Sequence, residues 1–330
     1  MDNTKRFQNT MAFKPVDRLP VIEWASWWTK TVNRWYTEGL PVELKDVFDI
    51  REYFGLDPYR QHVFPGMRPS YKKELLPEHQ AVTDMQSYLR VKPYLYSDKP
   101  FNPEVLQQHD ELQRQGKLVI WLSFEGFFWF PRKLFGIEQH LYAFYDYPDV
   151  MHAINNDLVE YNFRVLDSIC KVCKPDFMTF MEDLSYNHGP MLSHGLFKEF
   201  LVPYYKRIVP RLKDYGIVPV IDSDGDITQL IPWYEEVGID AFLPLERQAG
   251  VDLAALRVKH PRVRFIGGYD KMVMKHGEAA MRTEFERLLP VMKQGGYIPS
   301  VDHQTPPEVS IENYKIYVRL LREYCVKAAE

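Results

Sequence analysis

Val218-Pro219-Val220-Ile221-Asp222-Ser223-Asp224-Gly225-Asp226 is an apolar strand that runs straight into three acids and a glycine. Side-chain direction in an extended chain repeats every second residue, so Asp222 and Asp224 share one side. Two carboxylates held together repel unless a metal, a cationic substrate or a shared proton compensates them. The stretch predicts a buried strand that opens into a charged pocket.

The same rhythm extends in both directions. Upstream, helices are predicted over 148–173 and 197–215, with a strand at 177–181 between them that ends in Glu182-Asp183. Downstream, strands at 241–245, 264–268 and 297–301 end in Glu246, Asp270-Lys271 and Asp302-His303. Helices over 227–237, 252–258 and 278–293 separate them, and one over 312–329 closes the chain. Nearer the N-terminus, 19–23 and 118–124 read as strands delivering Glu23 with Trp24, and Glu125. Helices are expected at 27–40, 45–54 and 103–115. The pattern from 61 to 100 is poor and reads as a surface excursion, with alternation around Ser87–Lys92 that suggests a hairpin. Seven strands, an eighth near Val63 and intervening helices predict one α/β domain over 1–330, a single (β/α)8 TIM barrel with a helical N-terminal segment. No glycine-rich phosphate loop follows any strand, which argues against the nucleotide-binding folds.

Composition narrows the function. Forty-one basic against 45 acidic residues, a formal net charge of −4, exclude an electrostatic nucleic-acid binder. No apolar run is long enough to cross a bilayer, the first residues lack a secretory core, and three cysteines do not form an even disulfide set. A cytoplasmic protein without a membrane role is expected. Cys170-x-x-Cys173 has no second pair and reads as a core feature.

In a barrel the strand C-termini share one mouth, where active sites are built. Here Glu23, Glu125, Glu182, Asp222, Glu246, Asp270 and His303 all fall at such ends. Any one alone is a helix cap or a solvated loop acid; together they predict a functional acidic mouth. Asp222, Asp224 and His303 are the candidate metal ligands, with Glu182 as a fourth, an oxygen and imidazole set suited to a divalent metal, zinc first. Glu182 and Glu246 are candidates to orient substrate or move a proton, and Lys271, Tyr269 or Tyr297 to donate one. Trp24 and Tyr186, each close to a strand-end acid, are candidate pocket walls beside Asp270.

The second half of the chain resembles the uroporphyrinogen decarboxylase-like superfamily. The resemblance is carried by Glu182-Asp-Leu-Ser-Tyr-Asn-His-Gly-Pro-Met-Leu-Ser193, by Asp222-Ser-Asp-Gly-Asp226, by Gly238-Ile-Asp-Ala-Phe-Leu-Pro-Leu-Glu246, by Gly267-Gly-Tyr-Asp-Lys271 and by Gly295-Gly-Tyr-Ile-Pro-Ser-Val-Asp-His303. It implies a (β/α)8 barrel with its cleft at the strand C-termini, and a homodimer. True uroporphyrinogen decarboxylases carry an arginine-rich N-terminal block that grips substrate carboxylates. Residues 23–34 hold no such block, so the namesake activity is not expected. The chain is also similar to the methylcobamide:thiol methyltransferase branch, whose zinc is held by a His-x-Cys pair and a distant Cys. Asp222-x-Asp224 and His303 stand at matching positions, with carboxylates in place of thiolates.

Three functions fit these residues. The leading expectation is a corrinoid-linked methyltransferase, moving a methyl group between a small methylated substrate and a corrinoid or thiol, with a divalent metal and a corrinoid carried by a partner protein. The alternatives are a metal-free decarboxylase or lyase acting on a small cationic or neutral substrate, and a non-catalytic small-molecule-binding barrel.

Overall fold

The computed structural model describes residues 1–68 and 82–330. Its centre is a curled parallel sheet of β1 (Tyr59–Phe64), β2 (Val119–Glu125), β3 (Phe177–Met181), β6 (Val218–Asp222), β7 (Ala241–Leu243), β8 (Arg264–Tyr269) and β9 (Tyr297–Val301), in that order across the sheet. A two-residue hairpin, β4 (Ser185–Tyr186) with β5 (Gly189–Pro190), sits on the loop after β3. Each sheet strand pairs with the next sheet strand in sequence, and helices fill the crossovers, the longest being Pro148–Ile169 before β3; a further long helix, Ile311–Lys327, follows β9.

The strands are apolar on both faces because both are covered. On the outer face Leu122, Phe180, Phe242 and Phe265 pack against helices. On the inner face Tyr59, Trp121, Phe177, Val220, Leu243, Ile266 and Ile298 form a second, smaller core, offset by one residue as the period of two requires. The N-terminal helix, Asn3–Met11, closes this inner core from below: Phe7 stacks on Phe177 at 5.0 Å, the Thr4 hydroxyl donates to the Leu118 carbonyl, and the Gln8 amide donates to Asp176. All three contacts lie at the N-terminal ends of strands, which leaves the opposite end as the open one.

Three expectations change here. The eighth strand near Val63 is β1, so residues 61–64 belong to the sheet rather than to an excursion. The expected first strand at 19–23 is extended and buried but joins no ladder, so the sheet has seven strands among the described residues, not the eight of the expected barrel. Its backbone groups are met singly: Leu19 N–H by the Cys325 carbonyl, the Val21 carbonyl by Asp57 N–H, Trp24 N–H by the Ser300 hydroxyl. Pro20 alone does not explain this, since Pro219 in β6 and Pro299 in β9 sit within paired strands; the segment differs in that its backbone groups meet a helix, a loop and a side chain instead of the backbone of a neighbouring strand. The alternation at 87–92 is not a hairpin. Met85–Val91 is a helix, started by a capping box between Asp84 and Ser87, and its buried Tyr88 and Val91 follow helical spacing. Residues 69–81, the middle of the expected excursion, lie outside the described residues.

Candidate functional site

A cleft of about 520 Å³ opens at the C-terminal ends of the strands. Inward-facing strand residues make its floor. The Gln61 amide donates to the Ser123 hydroxyl at 2.8 Å, the Ser123 and Thr179 hydroxyls are 2.8 Å apart, and the Trp121 indole donates to Thr179 at 2.9 Å. Trp24 and Trp129 line the walls, and Asp183, Asp222, Asp224 and His303 surround the opening. The Trp24 ring is fixed by its indole N–H, which donates to the Val301 carbonyl at 2.6 Å.

The turn after β3 decides which acid of Glu182-Asp183 faces the cleft. Glu182 N–H donates to the Asp222 carbonyl at 2.8 Å, and Asp183 adopts a left-handed φ of 43°. Met181 and Asp183 therefore point inward while Glu182 points outward, where it is fully buried. Its carboxylate accepts from the backbone N–H groups of Phe127, Phe128 and Trp129 and from the Tyr205 hydroxyl. Burial outweighs these donors and pushes its pKa up to about 7. Gly126 makes room for it, since a Cβ there would lie 2.1 Å from the Glu182 carboxyl carbon. Glu182 is thus an anchor for the loop after β2, neither a fourth metal ligand nor a proton carrier in the cleft. Asp183 is the residue that sequence reasoning missed. The signal was the period of two, which carries Thr179 and Met181 on to Asp183.

Charge inside the cleft is mostly of one sign. Burial and the neighbouring Asp224 push the Asp183 carboxyl up to about 6, although Asp224 N–H, Arg132 and His303 oppose the shift. Burial, Asp183 and Asp224 hold Asp222 well above the usual carboxylate range. His303 is raised by its contact with Asp224, at 3.5 Å between Nε2 and Oδ2, against the effect of burial.

One ligand atom from each of Asp224, Glu246 and His303 lies within 4.8 Å of the others. The expected trio thus keeps Asp224 and His303 but exchanges Asp222 for Glu246. Gly225 sets this arrangement: its N–H donates to Glu246 at 2.8 Å, its φ is 82°, and a Cβ would come within 2.7 Å of the Tyr186 backbone. Two carboxylates and an imidazole suit a divalent metal of zinc, manganese or iron character better than one that needs thiolates.

The other candidates lie elsewhere. The Lys271 ammonium pairs with the buried Asp302 at 3.2 Å and donates to Gln248. Asp270 caps the short helix Lys271–His276 through Met272 N–H. Tyr297 is buried and donates to the Gly267 carbonyl. Tyr186 meets the site through its backbone, while the residue is 50% exposed outside the cleft. Cys170 and Cys173 are free thiols, pushed up to about 12 by burial, in keeping with a core role.

A curled parallel sheet with its cleft at the strand C-termini defines the class, and the comparisons give the family. The sequence model of the uroporphyrinogen decarboxylase (URO-D) family matches residues 132–324, more than half of the chain. The protein belongs to this family. A uroporphyrinogen decarboxylase of Rickettsia bellii (strain RML369-C) is 23% identical over 135 residues, which span 39% of this chain and 37% of that protein. Among solved structures, a methyltransferase from Methanosarcina mazei superposes with a TM-score of 0.69 at 14% identity, over 98% of this chain and 99% of the other. At that identity the likeness concerns the fold. Among the described residues no helix is long and apolar enough to cross a membrane.

Proposed function

We propose that the protein is a metal-dependent methyltransferase that moves a methyl group between a small methylated substrate and a corrinoid or thiol. The observation that carries this reading is the Asp224, Glu246 and His303 set beside an open cleft. These three residues hold the metal, zinc by preference, which supplies Lewis acidity to the reacting group when bound. Gly225 N–H fixes Glu246, and the Asp224 contact orients the His303 imidazole for its ligand role. Trp24, Trp121 and Trp129 exclude water from the substrate, and Asp183 and Asp222 face it. Lys271, Asp270, Tyr297 and Tyr186 position the surrounding loops. The corrinoid is carried by a partner protein and the enzyme works as a homodimer, both resting on the resemblance to the methylcobamide:thiol branch. A porphyrinogen bearing many carboxylates is disfavoured by the three acids of this cleft.

Purified protein, loaded with zinc or treated with a chelator, is assayed for methyl transfer from methylcobalamin to a panel of small thiols and from methylated amines to cob(I)alamin. Transfer that needs metal and is lost in Asp224→Asn supports the reading. Release of carbon dioxide from a small acid in the presence of chelator would replace it with the metal-free lyase. Saturable ligand binding without turnover would replace it with the binding barrel.

A further inference from the structure

With Asp224 committed to the metal set, two carboxylates at the cleft remain without a task. Among the described residues no group donates a hydrogen bond to the Asp222 carboxylate, and the charges that act on it are the like charges of Asp183 and Asp224. A carboxylate placed this way is costly unless something brought in from outside compensates it. Arg51 lines the cleft but is not free to do so: its guanidinium donates to the Glu23 carbonyl at 3.1 Å and the Trp24 carbonyl at 3.4 Å and lies 4.8 Å over the Tyr59 ring.

The rest of the lining shows which kind of cation fits. Trp24, Trp121 and Trp129 all border the same space. The indole N–H groups of Trp24 and Trp121 are already spent on Val301 and Thr179, so these residues meet a ligand as aromatic surface rather than as donors. Aromatic rings beside a carboxylate favour a cation that carries methyl groups and is weakly hydrated over one that carries N–H donors. A space of about 520 Å³ takes a small molecule of this kind.

We propose that the cleft recognises its substrate through a methylated onium group, a quaternary ammonium or sulfonium cation, seated between Asp222, Asp183 and the rings of Trp24, Trp121 and Trp129. The inference builds on the methyl-transfer reading, because such a cation presents methyl groups to the metal side of the cleft, but onium recognition is measurable without metal or turnover.

The test is calorimetric titration of the metal-free full-length protein with choline and with its neutral isostere 3,3-dimethylbutan-1-ol. Choline is expected to bind at least tenfold more tightly than the alcohol. Asp222→Asn is expected to abolish that preference while retaining zinc binding, and Trp129→Leu to weaken choline several-fold with an unchanged melting profile. Equal affinity for choline and the alcohol, or a preference that survives Asp222→Asn, would overturn the proposal. Onium binding in a protein that neither takes up metal nor transfers methyl groups would sink the proposed function and leave this inference standing. Metal-dependent methyl transfer without onium binding would do the reverse.

Discussion

Gly126 and Glu182 illustrate how one small residue and one buried acid set the walls of the cleft. The Glu182 carboxylate holds three successive backbone N–H groups that would otherwise be buried and unpaired. Glu182→Ala is expected to destabilise the protein by about 4 kcal/mol, the range for a broken buried network, as read in urea unfolding. Gly126→Ala forces its new methyl into the same carboxyl and is expected to cost about 2 kcal/mol or more by the same measurement. At Asp224 the effect falls on the ligand rather than on the fold: Asp224→Asn is expected to weaken zinc at least tenfold with little change in unfolding midpoint. Of the residues singled out from sequence, Asp222, Asp224 and His303 could be placed at the cleft because each ends or closely follows a strand whose period was clear. Glu182 was misassigned because it was read as the first acid after the strand, whereas the period of two that turns Met181 into the cleft places Asp183 there and Glu182 on the outer face.

Among the elements, the extended segment at 19–24 bears most directly on the site, since it carries Trp24 and Glu23 between β9 and the helix Val47–Tyr53. Glu23 is fully buried, accepts from the Ser300 and Tyr317 hydroxyls, and is pushed up to about 7 by burial against those donors and Arg51. A carboxyl whose folded pKa lies above its unfolded one binds more protons folded than unfolded between the two values. Its contribution is therefore most favourable below about 4.5 and is lost as pH rises towards 7. At 1.36 kcal/mol per tenfold change in proton affinity this amounts to about 3 kcal/mol. Glu23→Gln is expected to flatten the pH dependence of stability between pH 5 and 7, measured by denaturant unfolding across that range. The strands β2, β3, β6, β8 and β9 were legible because apolar runs bounded by turns have few other readings. Segment 19–23 matched that pattern equally well, and only its singly met backbone groups separate it from a ladder strand. The helix Met85–Val91 was missed because its apolar spacing also satisfies a short alternation.

At the scale of the whole molecule, the sheet gathers charges that lie far apart in the chain: Asp183, Asp222, Asp224, Glu246 and His303 meet only because β3, β6, β7 and β9 end on one side. The architecture of alternating strands and helices could be read without coordinates, and so could the end of the sheet that holds the chemistry. The exchange of Asp222 for Glu246 could not, since which strand ends approach each other depends on loop geometry that periodicity does not encode. A divalent metal that binds only the folded state raises stability by about 2.7 kcal/mol at a hundred times its dissociation constant. Zinc at that level is expected to raise the melting temperature by about 5 °C, read by differential scanning fluorimetry, with no shift in His303→Ala.

Calorimetric titration of zinc into metal-stripped protein, repeated with Asp224→Asn, Glu246→Gln and Asp222→Asn, tests the central claim most directly. The account predicts one equivalent bound by the wild type and by Asp222→Asn, with a loss of at least tenfold in affinity for the Asp224 and Glu246 variants. Absence of binding in the wild type, or affinity left intact by both Asp224→Asn and Glu246→Gln, would contradict it.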